Sequence, residues 1–175
     1  MLLAPAFSAD GALTVLGAAQ PAPGSNKRGV IVWSLAEGVE VLRVAAHDKF
    51  VRAAAFSPSG DRLFTAGHDG RLLEVQMSSG RVQRQLLKAE VPLSHVVVSH
   101  DAQWLAASTD GGELHLIRLK SGETVGTIQA ADRTLRSLTF SPKDERLMLL
   151  DRTSQLTILD LAMQPDASAT PAALL

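Results

Sequence analysis

The stretch "FSPSGDRLFTAGHDGRLLEVQMSSG", Phe56–Gly80, decides how the chain is read. Its skeleton returns 42 residues later as "VSHDAQWLAASTDGGELHLIRLKSG", Val98–Gly122, and again from Phe140 as "FSPKDERLMLLDRTSQLTILDL". Adding 42 keeps the apolar columns in register: Val51, Leu93 and Leu135; Leu63, Leu105 and Leu147; Leu72, Leu114 and Leu156; Val75, Ile117 and Leu159; Met77, Leu119 and Leu161. The serines Ser57, Ser99 and Ser141 and the glycines Gly38, Gly80 and Gly122 keep the same step. A period in this range marks a structural unit that repeats, so it takes precedence over any local pattern.

An earlier copy precedes these three. "AFSADGALTVLG" places Phe7–Ser8 where Phe56–Ser57 stand, 49 residues on, and the surplus of seven falls in "AAQPAPGSNKRG". Pro and Gly at that density exclude a strand interior and predict a loop. Beyond it Trp33, Ser34, Leu35 and Gly38 rejoin the register of Val75, Gln76, Met77 and Gly80.

Within a copy, runs of about six aliphatic or β-branched residues alternate with Ser, Pro, Asp and Gly turns: "VRAAAF", "RLFTAG", "RLLEVQM", "RVQRQLL". No window of helical length escapes these breakers. Four short antiparallel strands form a sheet too small to bury its own faces, and stacking the copies supplies the core. The strands number four, four, four and three, with copies at about 1–46, 47–88, 89–130 and 131–161. The Pro- and Ala-rich 162–175 is expected to be a disordered tail.

These residues resemble the WD-repeat β-propeller family over about 2–161. "AHDKFVRAAAFSPSGDRLFTAGHDGRLLEV" is similar to that family's unit, with a His before the first strand, "FSPxG" at its end and "DG" leading into the third. "VIVWSLAEG" is similar to its third strand, with Trp33 at the signature tryptophan and Ser34 in place of the usual Asp. The resemblance implies an all-β partial propeller of about four blades, the last incomplete, either open or part of a larger ring. It also implies a structural network of His, Ser or Thr, Asp and Trp inside a blade. His47, Thr65 and Asp69 fit it with Val75 at the Trp position, while Trp33 stands in another copy and is expected in the core. No blade shows the whole set, so apolar packing should dominate. An isolated four-copy arc would leave two blade flanks and bare strand edges exposed. Self-association or the remaining blades of a longer chain would cover them.

The totals narrow the chemistry. The 175 residues are 46% hydrophobic and 20% charged, a globular composition, with a net charge of −1. No basic run gathers, which argues against nucleic acid, and no apolar run approaches the roughly 18 residues of a membrane span. The apolar start "MLLAPAFSADGALTVLGAA" lacks a basic n-region and aligns with the repeat, against a signal peptide. With no cysteine, thiolate chemistry is excluded. His47, His68, His95, His100 and His115 fall at different places on different copies: His47 in the loop between copies, His68 in a turn, His95 and His100 flanking a strand, His115 inside one. No metal site is expected from them.

The repeated serines are explained by turns, no Gly-x-Ser-x-Gly elbow exists, "GSNKRG" lacks the ending of a phosphate loop, and Asp144 with Glu145 reads as a solvated turn. Neither a catalytic site nor a cofactor is expected. Trp104 is the candidate partner contact, because its sister positions Arg62 and Arg146 suggest a water-facing column; the other option is packing across a neighbouring blade. The function expected is a non-catalytic protein-interaction scaffold, with cytoplasm as the default compartment. Its inter-copy loops and the turns at His68–Gly70 and Asp110–Gly112 would share one face. The alternative is a propeller segment of a larger enzyme, cofactor-binding (quinoprotein-like) or regulatory protein, which requires polar side chains from several blades to converge on the axis.

Overall fold

A computed structural model describes residues 5–18, 24–131 and 134–161. The expected tail, the first four residues and part of the Pro-rich loop lie outside these. Among the described residues fifteen strands form four separate antiparallel sheets, each in simple up-and-down order. Blade 1 holds β1 (Ala6–Phe7), β2 (Leu13–Gly17), β3 (Arg28–Ser34) and β4 (Val39–His47). Blade 2 holds β5 (Val51–Phe56), β6 (Arg62–Gly67), β7 (Arg71–Gln76) and β8 (Val82–Lys88). Blade 3 holds β9 (Leu93–Val98), β10 (Trp104–Thr109), β11 (Glu113–Arg118) and β12 (Glu123–Gln129). Blade 4 holds β13 (Ser137–Phe140), β14 (Arg146–Leu150) and β15 (Leu156–Asp160). The distribution of four, four, four and three strands is the one the turn spacing predicts.

Alternation of side chains across each strand gives every blade two faces. In blade 2, Ala54, Phe56, Leu63 and Val75 point back toward blade 1 and join Val15, Val30, Val32 and Val44 in one buried cluster. Phe64, Ala66, Leu72 and Leu86 point forward and meet Leu93, Val96, Leu105, Ala107 and Ile117 of blade 3. Blade 3 repeats the scheme, sending Ala106 and Leu114 into Leu138, Phe140, Leu147, Leu149 and Leu159 of blade 4. The three clusters thus join neighbours in chain order, and among the described residues none joins blade 4 back to blade 1. Over the described residues the structure is an open partial propeller.

This face rule corrects two expectations. Trp33 occupies the register of Val75, since Thr14↔Trp33 matches Leu63↔Val75, yet it is half-buried and outside every core cluster. Its face of blade 1 points away from blade 2, and the described residues include no blade on that side. The column of Arg62, Trp104 and Arg146 does not face water either. It faces the next blade: Arg62 reaches Glu74, Trp104 packs against the blade 4 cluster, and only Arg146 lies open, beyond the last blade.

The hairpin between the first two strands of each blade shows how the repeated serine works. Backbone N–H groups of Leu13, Arg62, Trp104 and Arg146 donate to the hydroxyls of Ser8, Ser57, Ser99 and Ser141 at 2.8–3.1 Å. The fourth residue of each turn is left-handed: Gly11, Gly60, Ala102 and Asp144, at φ between 58° and 73°. Gly70 differs, because at φ +76° an added Cβ would lie 2.3 Å from the Ala89 carbonyl oxygen. Gly60→Ala meets open space and should cost about 1 kcal/mol. Gly70→Ala should cost clearly more, as read from denaturant midpoints of the two variants; equal losses would contradict the close approach.

Candidate interaction face and inter-blade latches

Antiparallel order puts the inter-blade loops and the β6–β7 and β10–β11 turns at the same rim, and backbone hydrogen bonds lock them there. His68 donates its N–H to the Phe50 carbonyl at 2.8 Å, Ala89 to Gly70 at 2.8 Å, Asp110 to Pro92 at 2.8 Å and Ala130 to Gly112 at 3.0 Å. The Lys88 ammonium adds a bond to the Asp69 carbonyl at 2.7 Å. Loops that would otherwise be loose therefore form one stiff edge.

At this rim His47, Thr65 and Asp69 come together. Asp69 lies 2.9 Å from His47 Nδ1, and His47 Nε2 lies 2.9 Å from Thr65 Oγ1. Asp69 also accepts the N–H groups of Asp48 at 2.8 Å and Arg71 at 3.1 Å. Burial alone would raise the Asp69 carboxyl, but these donors and the imidazole hold it down to about 2. Ionised Asp69 can only accept, so Nδ1 of His47 carries the proton. His47 is not in a loop as expected: it is the last residue of β4, paired with Arg28 across a bulge. A strand of blade 1 thus plugs its imidazole into blade 2. Trp33 takes no part, and Val75 fills the fourth position with apolar packing.

A second latch was hidden from sequence. Asp144, expected to be solvated, is buried, with Oδ1 2.8 Å from His100 Nδ1 and Oδ2 accepting the Asp101 N–H at 3.0 Å. Burial works against its ionised form, yet the bonds from His100 and Asp101 lower its pKa. It ties the turn of blade 4 to that of blade 3, at the rim opposite Asp69; Glu145 beside it is exposed. A third latch is Glu74, almost fully buried between blades 2 and 3. Its carboxylate pairs with Arg84 at 2.5 Å and Arg62 at 3.4 Å, and Arg84 reaches on to the Leu119 carbonyl of blade 3. No spacing rule announces Glu74, because its sister positions are Val32, Leu116 and Ile158.

Toward the inner strands, polar groups from three blades meet. Arg52 of β5 donates to Asp110 at 3.0 Å, and the Thr134 hydroxyl donates to the Asp110 carbonyl at 3.0 Å. His95 lies nearby, inside β9 and not beside it, within 3.2 Å of the Ser94 and Ser108 hydroxyls. Burial pushes its pKa down. His115, inside β11, bonds Thr127 Oγ1 at 3.1 Å, and burial lowers its pKa as well. Trp104 is half-buried, with the Arg118 guanidinium 5.4 Å from its ring centre.

The family model for the WD domain, G-beta repeat, matches residues 38–73, the segment that carries His47, Thr65 and Asp69. The chain therefore carries a WD repeat, and its four sheets extend that unit into a partial propeller. Over 109 residues, 62% of the chain, it is 36% identical to "Tricorn protease homolog 1" of Streptomyces coelicolor, covering 10% of that protein. Two human proteins are also similar. "U3 small nucleolar RNA-associated protein 4 homolog" is 28% identical over 69% of the chain and 19% of its own length. "WD repeat domain phosphoinositide-interacting protein 1" is 31% identical over 56% and 23%. The chain thus spans less than a quarter of each of these relatives.

Two outcomes follow for the latches. A depressed carboxylate contributes stability that is complete above its unfolded value of 3.8 and is lost as pH falls through about 2. Asp69→Asn should therefore be less stable than the parent at pH 6 by about 1–3 kcal/mol, with the gap closing in acid; a pH-independent gap would exclude the ionised latch. Arg84→Ala leaves the buried Glu74 carboxylate only the longer Arg62 contact at 3.4 Å and should cost about 3 kcal/mol, the low end for a broken buried pair. Glu74→Gln leaves only half-exposed guanidiniums and should cost less, as urea titration of both variants measures.

Proposed function

We propose that the chain is a non-catalytic protein-binding scaffold that presents the rim of inter-blade loops to a protein partner. WD repeats generally mediate protein–protein interaction, and residues 38–73 are such a repeat. One observation carries the reading to this rim: Phe50 is 50% exposed and Val91 38% exposed on consecutive inter-blade loops whose backbones are pinned. The Arg28 guanidinium lies 4.7 Å from the Phe50 ring centre and braces it. Apolar side chains on a rigid, hydrogen-bonded edge lose little entropy on contact, which is how interface anchors work. Trp104, whose turn lies at the opposite rim, is a secondary contact in this reading.

A second reading has the chain as the propeller segment of a larger enzyme. The resemblance to a tenth of a protein named as a protease homologue favours it, as does the meeting of Arg52, Asp110, Thr134 and His95 from three blades. On this reading the chain positions or screens a catalytic domain and does no chemistry itself.

Quantitative affinity capture separates the two. The double variant Phe50→Ala, Val91→Ala should keep the parent melting curve and lose about tenfold or more in partner affinity, the scale of a hot-spot residue. Undiminished capture would rule the rim out. Trp104→Ala should lower capture with the fold retained; a lower melting temperature with unchanged capture below it assigns Trp104 to packing alone. Recovery of a hydrolase as the stoichiometric partner would favour the second reading.

A further inference from the structure

We propose that the partner segment seated at the Phe50 end of the loop rim is an acidic peptide, with carboxylates flanking an apolar side chain that packs on Phe50. The inference rests on the reading of this rim as a protein-binding edge and adds the chemistry of what it binds.

The fold assembles the charge. The sequence holds no basic run, yet five cations from separate elements gather about Phe50. Lys27 and Arg28 lead into β3, Lys49 precedes Phe50 in the β4–β5 loop, Arg71 opens β7 and Lys88 closes β8. Contacts tie them to one patch. Arg28 lies over the Phe50 ring, and Lys27 and Arg71 both reach Asp48, two residues before it. Lys88 bonds the Asp69 carbonyl, and the Asp69 side chain accepts the Asp48 N–H. Among the described residues Asp48 and Asp69 are the carboxylates of this sector. Asp69 is buried against His47, and Asp48 is shared between two cations, so positive charge is in excess where Phe50 is exposed. Lys49 and Lys88 are themselves exposed.

Further along the rim the sign reverses. Glu90, Asp110 and Glu113 stand about Val91, against the Arg52 guanidinium that Asp110 accepts. A segment laid from Phe50 toward Val91 therefore meets a positive end first and a negative end second. The basic sector suits a peptide better than a phosphate chain. Arg71 already donates to the Ala46 carbonyl at 3.1 Å and to Gln85 at 2.8 Å, and Lys88 to Asp69. Cations committed in this way supply a field and not a cage of donors closing on phosphate. Such a field steers carboxylates and fixes their register, while the half-exposed ring on its pinned backbone supplies the apolar contact.

Panning a displayed library of random short peptides against the immobilised full chain tests this. Selected sequences should be enriched in Asp and Glu beside an aromatic or aliphatic residue, and their affinity should fall as salt rises. Lys49→Glu alters an exposed position, so it should keep the parent melting curve and weaken a selected peptide about three- to tenfold. Exchanging that peptide's carboxylates for lysines should reverse the order, with Lys49→Glu binding it better than the parent does. Selected peptides that need Phe50, as Phe50→Ala reads, but show no acidic bias would keep the binding rim and overturn the acidic partner. Peptides indifferent to both Phe50→Ala and Val91→Ala would overturn the rim as well. A library that yields no enriched sequence overturns the peptide and leaves the rim to the capture experiment on Phe50 and Val91. Displacement of the selected peptide by polyuridylate or by phosphatidylserine vesicles, undiminished in Phe50→Ala, would assign the charge to a polyanion and overturn the proposal.

Discussion

Everything in this molecule depends on a four-stranded sheet being unable to bury both its faces. Each blade is only a few strands wide and its strands alternate apolar side chains between two surfaces. A neighbour on each side is therefore the condition for its stability, not an addition to it. The three buried clusters are the three places where that condition is met. They explain why the apolar columns recur at a constant step: each column is one seat in the same contact.

Polar groups refine this apolar stack without replacing it. His47 with Asp69, His100 with Asp144, and Arg84 with Glu74 each reach from one blade to the next. They occur at the loop rim, at the opposite rim and within the inter-blade core. Because each is buried or half-buried, its geometry is strict where that of a leucine is tolerant. The latches fix the rotation of one blade on another, while the hydrophobic seats hold the blades together. Stiffness of the loop rim follows from both, and a stiff rim is what makes exposed Phe50 and Val91 useful as contacts.

Legibility divided along the same line. The strand count and the turn serines were readable because they recur in four copies and local turn chemistry enforces them. His47, Thr65 and Asp69 were readable through resemblance, although His47 proved to close a strand and not to lie in a loop. Asp144 was misread: its turn is polar, and only the approach of the blade 3 turn buries it. Glu74 gave no signal, since its sister positions are aliphatic and a single Glu in a strand looks like a surface residue. Trp104 was placed in a column thought to face water, because Arg62 and Arg146 are charged; Arg62 in fact turns inward to a buried carboxylate.

The amino-acid order alone determined that this protein is a stack of repeated antiparallel sheets. Period, alternation and turn residues are local and repeat themselves, so no knowledge of distant contacts is needed to read them. Tertiary structure decided which face of each column is covered, which charges are buried and which polar groups from different blades meet. Those depend on what stands opposite: the same column is sealed at Val75, which has a blade against it, and half-open at Trp33, which has none among the described residues.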